Sequence, residues 1–364
     1  MPMKIRISAD STCDLTNALI EQYDVKIIPL YILMENKALS DGIECTRDDI
    51  FAYTSRTGKL CGTAAVSIAD YLDFFGEELK THDQLVHFTI SSDMSACYQN
   101  ACDAAQEFPG RVFVVDSRNL STGIGHLVID GALLAREGRS GEEIRAILDE
   151  RQKKLNVSFV IDTLEYLRKG GRCSAVAALG ANLLKLKPCI EVHEGKMNVA
   201  KKYRGTLAKA IENYVTDRIK DRDDIDMKRI FITDSGVDAE IVENVEQLLR
   251  RYAGFEEIHH TLAGSTISGH CGPGCLGILY YNKYATFQNS PVQRPAAGLP
   301  FARAPDGLSA QNHGFPPPLT QGRFFYRSSS GGAARRDPAG KASLRRTAVR
   351  ITRSSRSACP ARRG

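Results

Sequence analysis

Along residues 4–281 the apolar positions switch between two spacings, one of strands and one of helices. Lys4 to Ala9 alternates apolar and polar side chains, as a half-buried strand does, and ends in Asp10-Ser11-Thr12-Cys13-Asp14-Leu15. Val25 to Leu33 (VKIIPLYIL) is apolar almost throughout, the pattern of a strand covered on both faces. Leu85 to Ile90 and Arg111 to Val115 are two further strands. Between them the period becomes helical. Ile68, Tyr71, Leu72, Phe75 and Leu79 share one face, with Ser67 placed to cap it. Ala101, Ala104 and Ala105 fit the start of a closely packed helix, and Ser140-Gly141-Glu142-Glu143 is a capping box ahead of Ile144, Ile147 and Leu148. Strands alternating with helices at this interval predict a mostly parallel sheet covered by helices.

From Val157 the character changes. Val157 to Ile161 reads as a strand, and Leu164 to Arg172 as a short helix stopped by Gly170-Gly171. Ser174 to Leu186 is an alanine- and leucine-rich helix. Cys189 to His193 and Lys196 to Ala200 flank Glu194-Gly195, a hairpin signal. A helix over Thr206–Ile219, a strand over Arg229–Thr233 and an amphipathic helix over Ala239–Tyr252 follow. Ile258–Leu262 and Leu276–Tyr281 are the last strands. A hairpin among α/β units predicts a second α/β domain with a mixed sheet. The expected division is an N-terminal α/β domain over residues 1–156 and a C-terminal one over 157–283.

Charge changes this picture in one place. The chain's net charge of +5 conceals a split. From Tyr284 onward there are 14 Lys and Arg against 2 Asp and Glu, leaving 34 against 41, a net of −7, for residues 1–283. The same stretch holds 9 of the 14 prolines and shows no periodicity. Residues 284–364 are therefore expected to be a disordered basic tail, and the abrupt end of the folded pattern suggests a non-native extension. The basic balance is thus no argument for a nucleic-acid partner. Ten scattered cysteines, no apolar run of membrane-spanning length and an N-terminus unlike a signal peptide predict reduced thiols in a cytoplasmic protein.

Candidate chemistry gathers where strands end. Leu85–Ile90 runs into Ser91-Ser92-Asp93-Met94-Ser95, a strand-to-helix turn. Such a turn offers hydroxyls and unpaired N–H groups to an anionic oxygen. Each residue also has a structural reading. Ser11, Thr12 and Ser95 are cap candidates, Thr63 alone reads as structural, and His270 ahead of Gly272-Pro273-Gly274 as a buried histidine. Cys271 and Cys275, even with His270, lack the spacing and the second ligand pair of a metal site, so no metal is expected.

Taken together and in order, these segments resemble the DegV-like proteins, which include the fatty-acid-binding subunits of bacterial fatty acid kinase. Ser8 to Leu15 looks like the family's D-S-[TS]-x-D-L turn, and Thr63 to Ser67 aligns with T-S-Q-P-S. Ser91 to Gln99 is similar to S-S-x-L-S-G-T-Y-Q, and Arg168 to Arg172 to K/R-K-G-G-R. Tyr203-Arg204-Gly205 resembles x-R-G, and Gly269 to Gly274 resembles G-x-H-x-G-P-G.

The resemblance implies a long-chain fatty acid held in a buried tunnel at the domain interface, with no cofactor. Its carboxylate would be met by Thr63, Ser95 and His270, on a loop framework that includes Ser92, Ala96, Gly272 and Gly274. A fatty acid kinase would phosphorylate that carboxylate for phospholipid synthesis, with Arg172 and Arg204 on the partner-facing surface and transient contact with a membrane surface. The protein would then be a binding subunit with no catalytic residue of its own. Two departures touch the site: Ala64-Ala65-Val66 replaces S-Q-P, and Ala96-Cys97 replaces G-T, adding a methyl where the backbone should approach the ligand. Two other readings compete. One is a lipid carrier or sensor without a kinase. The other is a hydrolase using Ser95, His270 and Asp10 or Asp116, although no G-x-S-x-G elbow is present.

Overall fold

The computed structural model describes residues 3–174 and 186–284. The predicted helix over Ser174–Leu186 and, after Tyr284, the basic tail lie outside the described residues apart from their first or last positions.

In the first half, β1 (Ile5–Asp10) and β2 (Val25–Ile28) pair in parallel. β3 (Tyr31–Met34), β4 (Lys37–Ser40) and β5 (Gly62–Ala64) form a small antiparallel sheet in the order β4-β3-β5. β6 (Gln84–Thr89) and β7 (Val112–Asp116) complete an all-parallel sheet in the order β2-β1-β6-β7. The helices here are α1 (Asn17–Tyr23), α2 (Arg47–Thr57), α3 (Ile68–Glu78), α4 (Cys97–Ala105), α5 (Thr122–Arg136) and α6 (Gly141–Arg151).

The second half is built on β8 (Leu155–Val160), β9 (Leu186–His193), β10 (Lys196–Arg204), β11 (Ile225–Asp234), β12 (Glu257–Leu262) and β13 (Leu276–Asn282). They form one mixed sheet in the order β10-β9-β8-β13-β11-β12, in which only β11 and β12 run parallel. Its helices are α7 (Glu165–Gly170), α8 (Leu207–Ile219), α9 (Ala239–Tyr252) and α10 (Ser265–Cys271). The molecule is thus two α/β domains, one with a mostly parallel sheet and one with a mixed sheet.

Local chemistry sets most of these elements. Ser67 with Asp70 and Ser140 with Glu143 close the capping boxes of α3 and α6, each side chain accepting from the other residue's backbone N–H. Thr206 caps α8. Glu194 and Gly195 both take positive φ (48° and 81°), the turn whose twist matches a tight hairpin.

Two readings of the sequence need correction. Val25–Leu33 is not one strand. Pro29 lacks the N–H a ladder needs, so the chain breaks at Pro29-Leu30 and sends β2 to the parallel sheet and β3 to the antiparallel one. Neither Ser11 nor Thr12 caps α1. They lie in a 3₁₀ turn, and Thr16 is the cap.

The helix α5 had no counterpart in the pattern of the sequence. Twelve of its fifteen residues are buried, so it has no polar face to create a period. It packs between β1 and β6 on one side and β8 and β13 on the other, inside a core shared by the two halves. A second core, with Ile211, Tyr214, Ile230 and Ile278, joins the mixed sheet to α8 and α9. Among the described residues no helix is long and apolar enough to cross a membrane.

Candidate functional site

The first wall of the site comes from strand ends of the first half. Thr63 sits on β5 opposite Ile32, and Ser95 lies just before α4. The second wall is α10, which carries His270. Side chains from the first half hold the start of that helix. Asp14 Oδ1 accepts from the Gly264 N–H (2.9 Å), and Asp41 accepts from the N–H groups of Ser265 (3.0 Å) and Thr266 (3.4 Å). These are the donors a helix start leaves without partners, so two carboxylates cap α10 from the opposite domain. Each carboxylate is itself oriented, Asp41 by the Ser11 hydroxyl (2.8 Å) and Asp14 by the Ser121 hydroxyl (2.5 Å). Burial pushes Asp14 up to about 8, against the opposing pull of the Ser121 hydroxyl and the Gly264 N–H.

This clamp brings His270 to Thr63. Thr63 Oγ1 and His270 Nε2 are 3.0 Å apart, joining residues 207 positions distant. Burial first, and the Arg172 guanidinium second, depress His270 to about 4, so the imidazole is neutral at physiological pH. Its Nδ1 is buried and has no hydrogen-bond partner among the described residues. Gly170 packs on the ring so closely that a Cβ there would collide with Nδ1. Ser95 Oγ accepts from the Cys97 N–H (3.3 Å) and donates to Cys97 Sγ (3.2 Å). It therefore does fulfil a local turn role, and Ser95 is also one of the residues lining the cavity.

Thr63, Ser95, Arg172 and His270 line one cavity of about 530 Å³, measured with its opening. Arg172 is exposed, marking the polar end as the outer one. Leu30, Ile90, Leu120, Met197 and Ile267 are among the other residues of the wall. A second cavity of about 340 Å³ shares Leu120, Ile267 and Cys271 with the first and continues past Phe159, Ala263 and Leu279. The space thus grades from hydroxyls, an imidazole and a guanidinium to buried apolar side chains.

The remaining sequence candidates fall elsewhere. Ser92 is exposed, its N–H donating to Asp116 (3.1 Å) and its hydroxyl accepting from Arg118 (2.9 Å). With Ser91, which donates to the Gly195 carbonyl (2.8 Å), it ties the turn to the β9–β10 hairpin. Ala96 is exposed and outside the cavity wall. Gly272 adopts φ 78° against the Tyr166 ring, where a Cβ would come within 2.6 Å, so this turn requires glycine. Gly274 turns beside Asp162. Arg204 is exposed at the end of β10, away from the wall, whereas Arg172 is part of it.

The residues do not assemble a hydrolase. His270 Nε2 meets Thr63, and no carboxylate among the described residues reaches Nδ1. Asp10 is occupied by the Ile90 N–H, the Thr12 N–H and the Thr12 hydroxyl, and Asp116 by the N–H groups of Ser92 and Arg118. Cys271 and Cys275 are free thiols on the second cavity, and no group of metal-binding side chains gathers among the described residues. The sequence reading missed Arg172 as a wall residue and the clamp made by Asp14 and Asp41. Asp14 stands in a recognisable turn, but its partner lies 250 residues away and left no local signal.

Comparison with known proteins adds to this geometry. A model of the DegV family of uncharacterised proteins matches residues 4–283. A fatty acid-binding protein of Thermotoga maritima is 30% identical over 285 residues, which cover 76% of this chain and 97% of that protein. A DegV family protein of Thermus thermophilus, whose solved structure is described as fatty acid binding, superposes with a TM-score of 0.70 at 33% identity, covering 77% of this chain and all of that one. A DegV lipid-binding protein of Thermotoga maritima superposes with a TM-score of 0.68 at 27% identity, over 78% of this chain and all of its own.

Proposed function

The chain belongs to the DegV family, and on that premise we propose that it binds a long-chain fatty acid, carboxylate outermost at Thr63, Ser95 and His270, and presents it to a fatty acid kinase. The observation that carries this reading is the graded cavity, polar and open at Arg172, apolar and buried past Leu120 and Ile267. A chain of about fifteen methylenes contributes on the order of 12 kcal/mol gross before binding costs. Affinity can therefore come from the apolar space, and the head group needs only orientation. Hydroxyls and a neutral imidazole suit that task, because they hold a carboxylate without the two-pronged grip of an arginine, and Arg172 on the same wall has its Nε and Nη1 donating to the Met94 and Gly170 carbonyls (3.5 and 2.7 Å). The held oxygen stays nucleophilic. In the kinase step it attacks the terminal phosphorus of ATP, the bond to the leaving ADP breaks, and an acyl phosphate forms for phospholipid synthesis. Arg172 at the outer end and the exposed Arg204 are the partner-facing cations in this reading. Brief contact with a membrane surface would supply the lipid.

Native mass spectrometry of the bacterially expressed chain, with lipid extraction, tests the binding. One fatty acid per chain, lost in the Thr63→Ala/Ser95→Ala/His270→Ala variant, is the expected result. A chain that stays empty and gains no mass when offered fatty acids would overturn it. Phosphate transfer to the bound lipid on adding a bacterial fatty acid kinase tests the second step. Retention of lipid without any transfer would leave a carrier and remove the kinase role.

A further inference from the structure

A second kind of cavity opens further along α5, at Asp130. Ser121, beside the lipid cavity, and Asp130 are separated by roughly 13 Å of helix. Around Asp130, a space of about 610 Å³, measured with its opening, is walled by Arg151, Lys154, Lys228, Arg229 and Lys283, with Asp130 and Asp226 the only carboxylates on its wall among the described residues. Five cations against the two anions of the wall and Glu257, paired with Arg229 from outside it, leave a surplus of two positive charges.

Internal pairing does not consume that surplus. Asp130 serves two arginines at once, Arg229 Nη2 at 2.8 Å and Arg151 Nη1 at 2.9 Å. Arg229 is buried (4% exposed), its Nε is 3.5 Å from Glu257, and its Nη1 has no acceptor among the described residues. A buried guanidinium donor left without an acceptor is costly, and a native site that keeps one calls for an explanation. Lys154 and Lys228 form no ion pair among the described residues, and Lys283 Nζ donates to a backbone carbonyl, that of Asp223 (2.8 Å). An anion with several acceptor oxygens matches this set of donors. A single carboxylate would neutralise one charge. A phosphate monoester carries about −1.5 to −2 and three acceptor oxygens, which suits both the guanidinium and the lysines.

We propose that this cavity is a second ligand site, taking a phosphate group between the Arg151–Arg229 pair and the lysines 154, 228 and 283. It is independent of the lipid site in position and in chemistry. The phosphate could belong to a small soluble ester or to a lipid headgroup, and the two sources are separable by experiment.

Isothermal titration of the full chain with inorganic phosphate, at ionic strength matched with chloride, should show saturable binding of one phosphate per chain. The Lys154→Glu/Lys228→Glu variant should bind at least about tenfold more weakly, while native mass spectrometry shows its lipid content unchanged. Lys154→Ala/Lys228→Ala, which adds no acid, should weaken binding in the same direction. Sedimentation with phosphatidylcholine vesicles containing phosphatidic acid separates the sources. Retention that the lysine variants lose, without a response to free phosphate, assigns a lipid headgroup. A response to free phosphate without retention assigns a soluble ester. Absence of both, or equal binding by wild type and the lysine variants, overturns the proposal.

Discussion

The two cavities along α5 are made of different materials. At the Thr63 end, hydroxyls and a neutral imidazole precede a long apolar space, with one exposed arginine at the opening. At the Asp130 end, charged side chains crowd a polar concavity, and two arginines share one carboxylate. In the proposed reading, the first arrangement would draw its affinity from buried methylenes and leave the anion loosely held. The second can draw only on charge and directed hydrogen bonds. The difference teaches that position within one fold does not decide how an anion is met. What decides it is whether apolar area is available to do the binding.

The comparison can be broken most sharply at Asp130. Asp130→Ala leaves the buried Arg229 with only Glu257, 3.5 Å from its Nε, and should cost about 3–5 kcal/mol of stability in urea unfolding. A loss below about 1 kcal/mol would mean that the charged end does not depend on its pairing. Next in size is Gly170→Ala. An alanine in a helix ordinarily stabilises slightly, but here the added methyl meets the His270 ring. Lipid affinity should fall by about 1–3 kcal/mol with the melting temperature little changed. Equal affinity would place the ring outside the head-group contact.

Smaller still is Thr63→Val, which keeps the shape and removes one hydroxyl. It should weaken lipid binding by about 1 kcal/mol, measured by competition with a fluorescent fatty acid. The smallest effect is on pH. His270 is held near 4 in the fold, below its ordinary 6.5, so it stays neutral from pH 6 to 8 and affinity should be flat there. By the same shift, its contribution to stability is present above 6.5 and is lost as the pH falls towards 4. Affinity that instead rises on acidification through about 6.5 would mean an imidazolium paired with the carboxylate. The two cavities along α5 would then be less different than they look.

Much of the fold was legible because its signals are local. Ser67, Ser140 and Thr206 cap helices from adjacent residues, and Glu194-Gly195 sets its hairpin within two positions. Legibility failed where burial is complete or the partner is remote. α5, buried on every side, has no period, and Pro29 looked like part of a strand because its neighbours are all apolar. Thr63 and His270 were named only through the order of the family's motifs, and the structure places them 3.0 Å apart. The serine turn was read too generously. Ser95 reaches the cavity, while Ser91 and Ser92 bind the hairpin and Arg118. Nothing local announced that Asp14 and Asp41 would cap a helix more than 200 residues away.

That last clamp also orders events in time. At about 5–20 residues per second, a ribosome needs roughly 10–40 s to pass from Thr63 to His270. During that interval the all-parallel sheet can form, yet Asp14 and Asp41 await their helix and Thr63 awaits its histidine. A lipid reaching the emerging chain would meet half a pocket. The completed pocket is a late product of synthesis, so an occupied one reports that translation has run past residue 271.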